Sequence, residues 1–397
     1  MIELAILNCT TWWMTRFTHV QPGLTHWSRS NKMMHEEQIQ LDHDYVMQIF
    51  RAEESPRFGK ALLGSGFATG RAKLEDLDRR SFGSGDTLAE AMAGQGCDID
   101  SLRQKVEAGE ALLPIEHIGG FREMHIEQAN ILRDNGKDLG VVTGIRGNVR
   151  ADVRYFGRAG HTGGEAQYER GAEGLKDVRS EASRGVARLI VNLEDKAQEI
   201  AAAGRDIVFS APVITTPDSS PTKICDDSYV RLEVRSTDPS VLEEARAFIE
   251  TQAAELAVGY NLTLDDGTFN VVLSPSVPEL SEKMVSHLER SAMELQISTM
   301  RLPSGAGHDA ANMALSGVDT SMYFVPHNGL SHRPDEDMVL NKGDDPFDIS
   351  SPFANAVRAM HHATKTYDPG VIPESHKGQS FVDAIQERGA QELTFDV

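Results

Sequence analysis

Between Gly147 and Val272 the hydrophobic pattern switches repeatedly between a strand-like and a helix-like repeat, and this block limits what the rest of the chain can fold into. Val149, Ala151, Val153 and Tyr155 alternate with Asn148, Arg150, Asp152 and Arg154, as in a strand buried on one face. A helix is expected from Val178 to Ala203, with Val186, Leu189, Ile190 and Leu193 on one side and Gly204 as its stop. Ile207-Val208-Phe209 reads as a strand, and so do Val230, Leu232 and Val234, which alternate with charged residues. Asp238-Pro239 supplies a cap and a first-turn proline for a helix to about Val258, and a last strand covers about Asn261 to Val272. The order β-α-β-β-α-β is that of a ferredoxin-like layer. On either side the pattern is α/β: Tyr45 to Phe50 is strand-like, Thr320 to Val325 reads as a buried strand, and a helix is expected from about Pro352 to Ala363. The expected fold is therefore an α/β domain, residues 1–146 and 273–397, split by an inserted α+β domain at 147–272.

Residues 1–45 read differently from the rest. Trp12, Trp13 and Trp27 are all the tryptophans of the chain, His19, His26, His35 and His43 lie among them, and no sustained periodicity appears before Tyr45. The net charge of −21 argues against nucleic acid or an anionic membrane surface as a partner, since both call for a basic surface. No membrane span is expected, because no apolar run approaches the required length, and Glu3 stands where a signal peptide would be basic. Cys9, Cys97 and Cys225 are odd in number and far apart, so no disulfide framework is indicated and a cytoplasmic location is expected.

Chemistry concentrates in a few motifs. Ala52-Glu53-Glu54-Ser55-Pro56-Arg57-Phe58 and Glu123-Met124-His125-Ile126-Glu127-Gln128 end or follow runs with strand character. Ser304-Gly305-Ala306-Gly307-His308-Asp309-Ala310 and Gly329-Leu330-Ser331-His332-Arg333-Pro334-Asp335-Glu336 come later. Carboxylates and imidazoles of this kind bind divalent cations, and an additional glutamate can take a proton from water. With Gly140-Val141-Val142-Thr143-Gly144-Ile145 and Gly160-His161-Thr162-Gly163, these motifs resemble the M20-type metallohydrolases. The branch they resemble is that of the N-carbamoyl-L-amino-acid hydrolases, β-ureidopropionases and allantoate amidohydrolases, over about Ile49 to Ala363.

The resemblance implies a metallopeptidase-like catalytic domain with a ferredoxin-like lid that also dimerises, and a metal-dependent amidohydrolase acting on a small ureido or amide substrate. It implies Glu53 as general base, and Glu54, His125 and His332 as ligands of one or two divalent cations (Zn, Mn, Co or Ni). It assigns Gln128 to the substrate pocket, Arg235 to the substrate carboxylate, and the loop positions Ser304, Gly305, Ala306 and His308 to substrate binding, with His308 and Asp309 supporting that loop. His161 would stabilise the oxyanion in the neighbouring subunit of a homodimer. The chain departs from the family at its N-terminus: the usual His-x-Asp falls near Asn8-Cys9-Thr10, and the usual bridging aspartate near His19. Thr222 stands about where a substrate-binding asparagine is expected. Divergence, truncation and a shifted reading frame all account for such a segment. Two rival readings follow: an aminoacylase or dipeptidase of the same superfamily, or a catalytically impaired homologue serving as a binding or dimerisation module.

Overall fold

The structure is a computed structural model that describes residues 2–7, 33–34, 36–39, 41, 44–171, 174–273, 277–327 and 351–369. The chain divides into two compact units, a split one of Met1–Ile145 with Pro278–Val397 and an inserted one of Arg146–Val277. In chain order the first part of the split unit contains β1 (Ile2–Leu7), β2 (Asp44–Gln48), α1 (Leu63–Ala68), α2 (Leu74–Leu77), α3 (Leu88–Ala93), α4 (Ile99–Ala108), β3 (Ile118–Ile126), α5 (Ile131–Asp134) and β4 (Leu139–Ile145). The inserted unit contains β5 (Gly147–Phe156), β6 (Tyr168–Gly171), β7 (Gly174–Asp177), α6 (Ala182–Ala202), β8 (Val208–Thr215), β9 (Asp227–Ser236), α7 (Pro239–Gly259), β10 (Thr263–Leu264) and β11 (Asn270–Leu273). The split unit resumes with α8 (Glu282–Glu294), β12 (Thr299–Ser304), α9 (Asp309–Leu315), β13 (Thr320–Val325) and α10 (Pro352–Thr366).

The sheet of the split unit has the order β12-β4-β13-β3-β1-β2. β2, β1, β3 and β13 run parallel, β13 pairs antiparallel with β4, and β4 is parallel to β12. Apolar side chains fill both faces, as parallel strands require. Phe121, Met322, Phe324 and Val142 pack with Ala310 and Met313 of α9 on one face. Met124, Tyr323, Val325 and Val141 pack with Leu288 of α8 and Phe353 and Met360 of α10 on the other. Leu63, Phe67, Leu77, Leu88 and Leu102 form a separate small core among the early helices.

In the inserted unit β10 and β11 pair with β5, β5 with β9 and β9 with β8, all antiparallel, which is the ferredoxin-like strand order. Val149, Ala151, Val153 and Tyr155 of β5 and Val230, Leu232 and Val234 of β9 pack against Val186, Leu189 and Leu193 of α6 and Ile249 and Ala253 of α7.

Some local expectations shift. The first helix of the insert starts at Ala182, because Val178 still donates to Gln167 O at 2.9 Å and so extends the β6–β7 hairpin, which the sequence pattern did not suggest. The last strand is two short ones, since Asp265 closes a turn by accepting the Thr268 and Phe269 amides at 3.0 and 2.8 Å. β1 lies within the N-terminal stretch where no periodicity was recognised. It sits between β3 and β2, the central parallel position in which near-continuous apolar runs such as Ile2-Glu3-Leu4-Ala5-Ile6-Leu7 occur. Among the described residues, no helix is long and apolar enough to cross a membrane.

Candidate active site

Ligands in sheets of this kind bind outside the carboxyl ends of the parallel strands. Three of those ends are described beyond the last strand residue: β2 leads to Glu53, β3 carries His125 next to its last residue, and β13 ends at Val325, opposite Ile126.

The Glu53 segment is held by the start of α1. The amides of Leu62, Leu63 and Gly64 donate to the carbonyls of Glu53, Ala52 and Arg51 at 2.7, 3.1 and 3.0 Å. Donors that a helix N-terminus leaves unused are thereby satisfied. Ala52 adopts a left-handed φ of 56°, and the chain turns so that Glu53 is buried while Glu54 is half-buried.

β3 organises the other side. Its two-residue repeat puts Glu123 and His125 on one face. The buried Glu123 carboxylate accepts the Ala310 amide of α9 at 2.6 Å. Just beyond the strand, the buried Glu127 accepts the Ile131 and Leu132 amides of α5 at 2.7 and 2.9 Å. The two flanking glutamates thus anchor helix starts, where the helix dipole favours negative charge. Sequence motifs assigned neither a role, although the Glu-x-His-x-Glu spacing at strand periodicity is a signal that could have found them. Glu123→Ala would leave the Ala310 amide buried without this acceptor. It is expected to lower stability in a urea titration by about 1–3 kcal/mol.

His308 immediately precedes α9. Glu53, His125 and His308, all buried, each bring a ligand-capable atom within 4.8 Å of the others. The His125 and His308 rings are 4.5 Å apart, and Glu53 Oε1 is 3.9 Å from His308 Nδ1. The proton positions follow from the neighbours. His125 Nδ1 lies 2.7 Å from the Ile126 carbonyl, which can only accept, so Nδ1 carries the proton and Nε2 the lone pair. Ser304 Oγ donates to Ala306 O at 2.9 Å and accepts the Ala306 amide at 3.1 Å. Its one proton is thereby used, so His308 Nε2, 2.7 Å away, must donate to it, leaving the lone pair on Nδ1. Burial, with His125 adding to it, holds the His308 imidazole well below its ordinary range, so it is neutral. Two imidazole lone pairs and a carboxylate in one buried cluster form a donor set suited to a divalent cation. Burial also pushes the neighbouring Asp309 carboxyl up to about 7.

The structure thus brings Glu53, His125 and His308 together, and His308 enters the cluster itself rather than only supporting its loop. Glu54 is not in that cluster. Gln128 is half-buried, with a left-handed φ of 59°, in the turn after β3. Gly305 is exposed and Ala306 half-buried in the loop before α9. His161 and Arg235 belong to the inserted unit. His161 is exposed in the loop after β5, and Arg235 stands beside Asn148 on the adjacent strand, 2.9 Å from Glu233 Oε1. His332 lies outside the described residues, as do Asn8 and His19.

Comparison with known proteins places the chain. The profile of Peptidase family M20/M25/M40 matches residues 27–345. An uncharacterized hydrolase of Haemophilus influenzae is 30% identical over 300 residues, 75% of this chain and 68% of that protein. An N-carbamoyl-L-amino-acid amidohydrolase of a Pseudomonas species is 30% identical over 307 residues, 74% of this chain and 67% of that one. A crystal structure of a hydantoinase/carbamoylase family amidase from Burkholderia ambifaria superposes with a TM-score of 0.68 at 22% identity, covering 91% of this chain and 80% of that one. The split α/β sheet with its inserted α+β unit, the metal-type cluster at its strand ends and the profile match over most of the length agree: the chain belongs to Peptidase family M20/M25/M40, a family of hydrolases.

Proposed function

We propose that the protein is a metal-dependent amidohydrolase that cleaves the carbamoyl or amide C–N bond of a small N-substituted amino acid, such as an N-carbamoyl-L-amino acid, a β-ureido acid or an allantoate-like compound. The observation that carries this reading is the buried cluster of Glu53, His125 and His308 with its lone pairs fixed by neighbouring groups. The Pseudomonas relative, an N-carbamoyl-L-amino-acid amidohydrolase, supports the choice of bond.

His125 and His308 would hold a divalent cation through Nε2 and Nδ1, with Glu54 and His332 as the further ligands the family resemblance implies. A cation held there would supply Lewis-acid chemistry, polarising a carbonyl and lowering the pKa of water. Glu53 takes the proton of the attacking water on its carboxylate and delivers it to the leaving nitrogen. Gln128 and the loop from Ser304 to His308 bind the substrate, and the Arg235 guanidinium grips its carboxylate in a bidentate fork. His161 donates to the developing oxyanion in a partner chain.

Elemental analysis and N-carbamoyl amino acid hydrolysis, before and after chelation, test this. One tightly bound divalent cation per chain is expected, because no bridging aspartate is recognisable near the N-terminus, and chelation should abolish activity until metal is returned. Protein that hydrolyses none of these substrates and holds no metal would be the impaired binding module instead. Two cations would mean that an N-terminal residue supplies the bridge.

A homodimer through the inserted unit is part of the same reading. β8 is the last strand of its sheet, and Val208, Val213 and Ile214 on it are 44%, 37% and 54% exposed, an apolar edge suited to a partner strand. Light scattering at micromolar concentration should give twice the chain mass. A monomer would remove both the interface and the trans-acting role of His161.

A further inference from the structure

The histidine of the inserted unit stands in a segment, Gly160-His161-Thr162-Gly163-Gly164, whose three glycines do little to restrict the backbone by themselves. Its two ends are tied down: Gly160 O accepts the Ile224 amide at 2.8 Å, and the Thr162 amide donates to Thr222 O at 3.0 Å. The turn closes on His161 O, which accepts the Gly164 and Glu165 amides at 3.1 and 3.3 Å. The Gly163 amide donates to His161 Nδ1 at 3.2 Å. In a neutral imidazole a nitrogen that accepts a hydrogen bond carries no proton, so this contact puts the proton on Nε2 and makes that atom the donor.

Two carbonyls of the turn, Thr162 O and Glu165 O, accept from one nitrogen of Arg179, Nη2, each at 2.6 Å. Arg179 itself is fixed just ahead of α6, where its amide donates to Asp177 Oδ1 at 3.1 Å. It is half-buried and stands outside every motif recognised in the sequence.

We propose that Arg179 is the positioning residue of His161: by clamping both carbonyls of the turn it keeps the Gly163 amide on Nδ1, and so selects the Nε2–H tautomer that can donate to an oxyanion. The catalytic half of this statement rests on the proposed role of His161; the tautomer half does not. Arginine suits the task because its planar group presents several donors in fixed directions, whereas lysine offers a point charge on a flexible stem.

The test compares the full-length, metal-loaded protein with Arg179→Met and Arg179→Lys. Nitrogen NMR on histidine-labelled protein, with the His161 signals identified by their loss in His161→Gln, reads the tautomer directly. Steady-state kinetics on an N-carbamoyl amino acid gives kcat and KM. The expected result is a His161 signal pair of the Nε2–H form in wild type that moves towards a tautomer mixture in Arg179→Met. Alongside it kcat should fall about tenfold or more with KM little changed, and Arg179→Lys should recover part of both. Thermal unfolding shows whether Arg179→Met is folded, and Arg179→Lys decides the matter if it is not. An unchanged tautomer in the folded variants overturns the proposal whatever the activity. A changed tautomer with unchanged kcat keeps the positioning and removes His161 from catalysis.

Discussion

Glu53→Gln is expected to lower turnover at least a hundredfold while the divalent metal content per chain stays the same. The substitution preserves the size of a side chain that is 5% exposed and removes only its capacity to take a proton. General acid–base help is typically worth about 10²- to 10⁴-fold. Glu53 Oε1 is 3.9 Å from His308 Nδ1, so the carboxylate reaches the region where a water beside the two imidazoles would sit. Metal analysis on the same preparation separates the two roles a carboxylate can have in this cluster. Loss of metal together with activity would make Glu53 a ligand, and more than a tenth of wild-type turnover would show that another group accepts the proton.

The second large effect concerns a residue with no chemistry of its own. A Cβ on Gly64 would lie 2.4 Å from the Arg51 carbonyl oxygen and 2.8 Å from its nitrogen, both backbone atoms that cannot swing aside. That close approach is what lets the amides of residues 62–64 reach the carbonyls of residues 51–53. Gly64→Ala must push α1 away from the Glu53 segment. The stability cost should be about 1–3 kcal/mol in urea unfolding, as for other overpacked sites. Turnover should fall further than stability suggests, because a displacement of about 1 Å at a reacting group can cost about a hundredfold. A Gly64→Ala protein with wild-type kcat would show that Glu53 is held by something other than this clamp.

The architecture was largely legible because periodicity reports burial directly. β5 and β9 alternate residue by residue, and β13 is buried throughout and runs Met322-Tyr323-Phe324-Val325 without a break, so each announced itself. β1 was missed because six residues of nearly unbroken apolar sequence in an unusual segment carry no period. The β6–β7 hairpin was missed because Tyr168-Glu169-Arg170-Gly171 is wholly exposed and so has no buried face to alternate. In the site, Glu53 and His125 could be picked out because motif order carries them. The direct entry of His308 into the cluster could not, since it depends on how α9 meets β3 in space, and its tautomer depends on one serine hydroxyl whose only proton goes to Ala306. Tautomers and helix anchors such as Glu123 are properties of three-dimensional neighbours, not of residue types in sequence.

The division of the chain has a consequence for how the molecule comes to exist during synthesis. The inserted unit is one continuous stretch, Arg146–Val277, and its sheet pairs strands that are all within it. It can therefore collapse once its last strand has emerged. The split unit cannot: β3 waits for β13, and Glu53 and His125 wait for His308, all encoded on the far side of the insertion. Closing so long a loop adds little to the equilibrium cost, which grows only with the logarithm of length, but non-local pairing of this kind is slow. Until residues 299–325 arrive, β3 lacks its β13 neighbour and the cluster lacks its second imidazole. The nascent chain thus passes through a period in which the inserted unit is complete while the residues of the candidate metal cluster are still unassembled, and an unpaired strand edge is open to wrong partners.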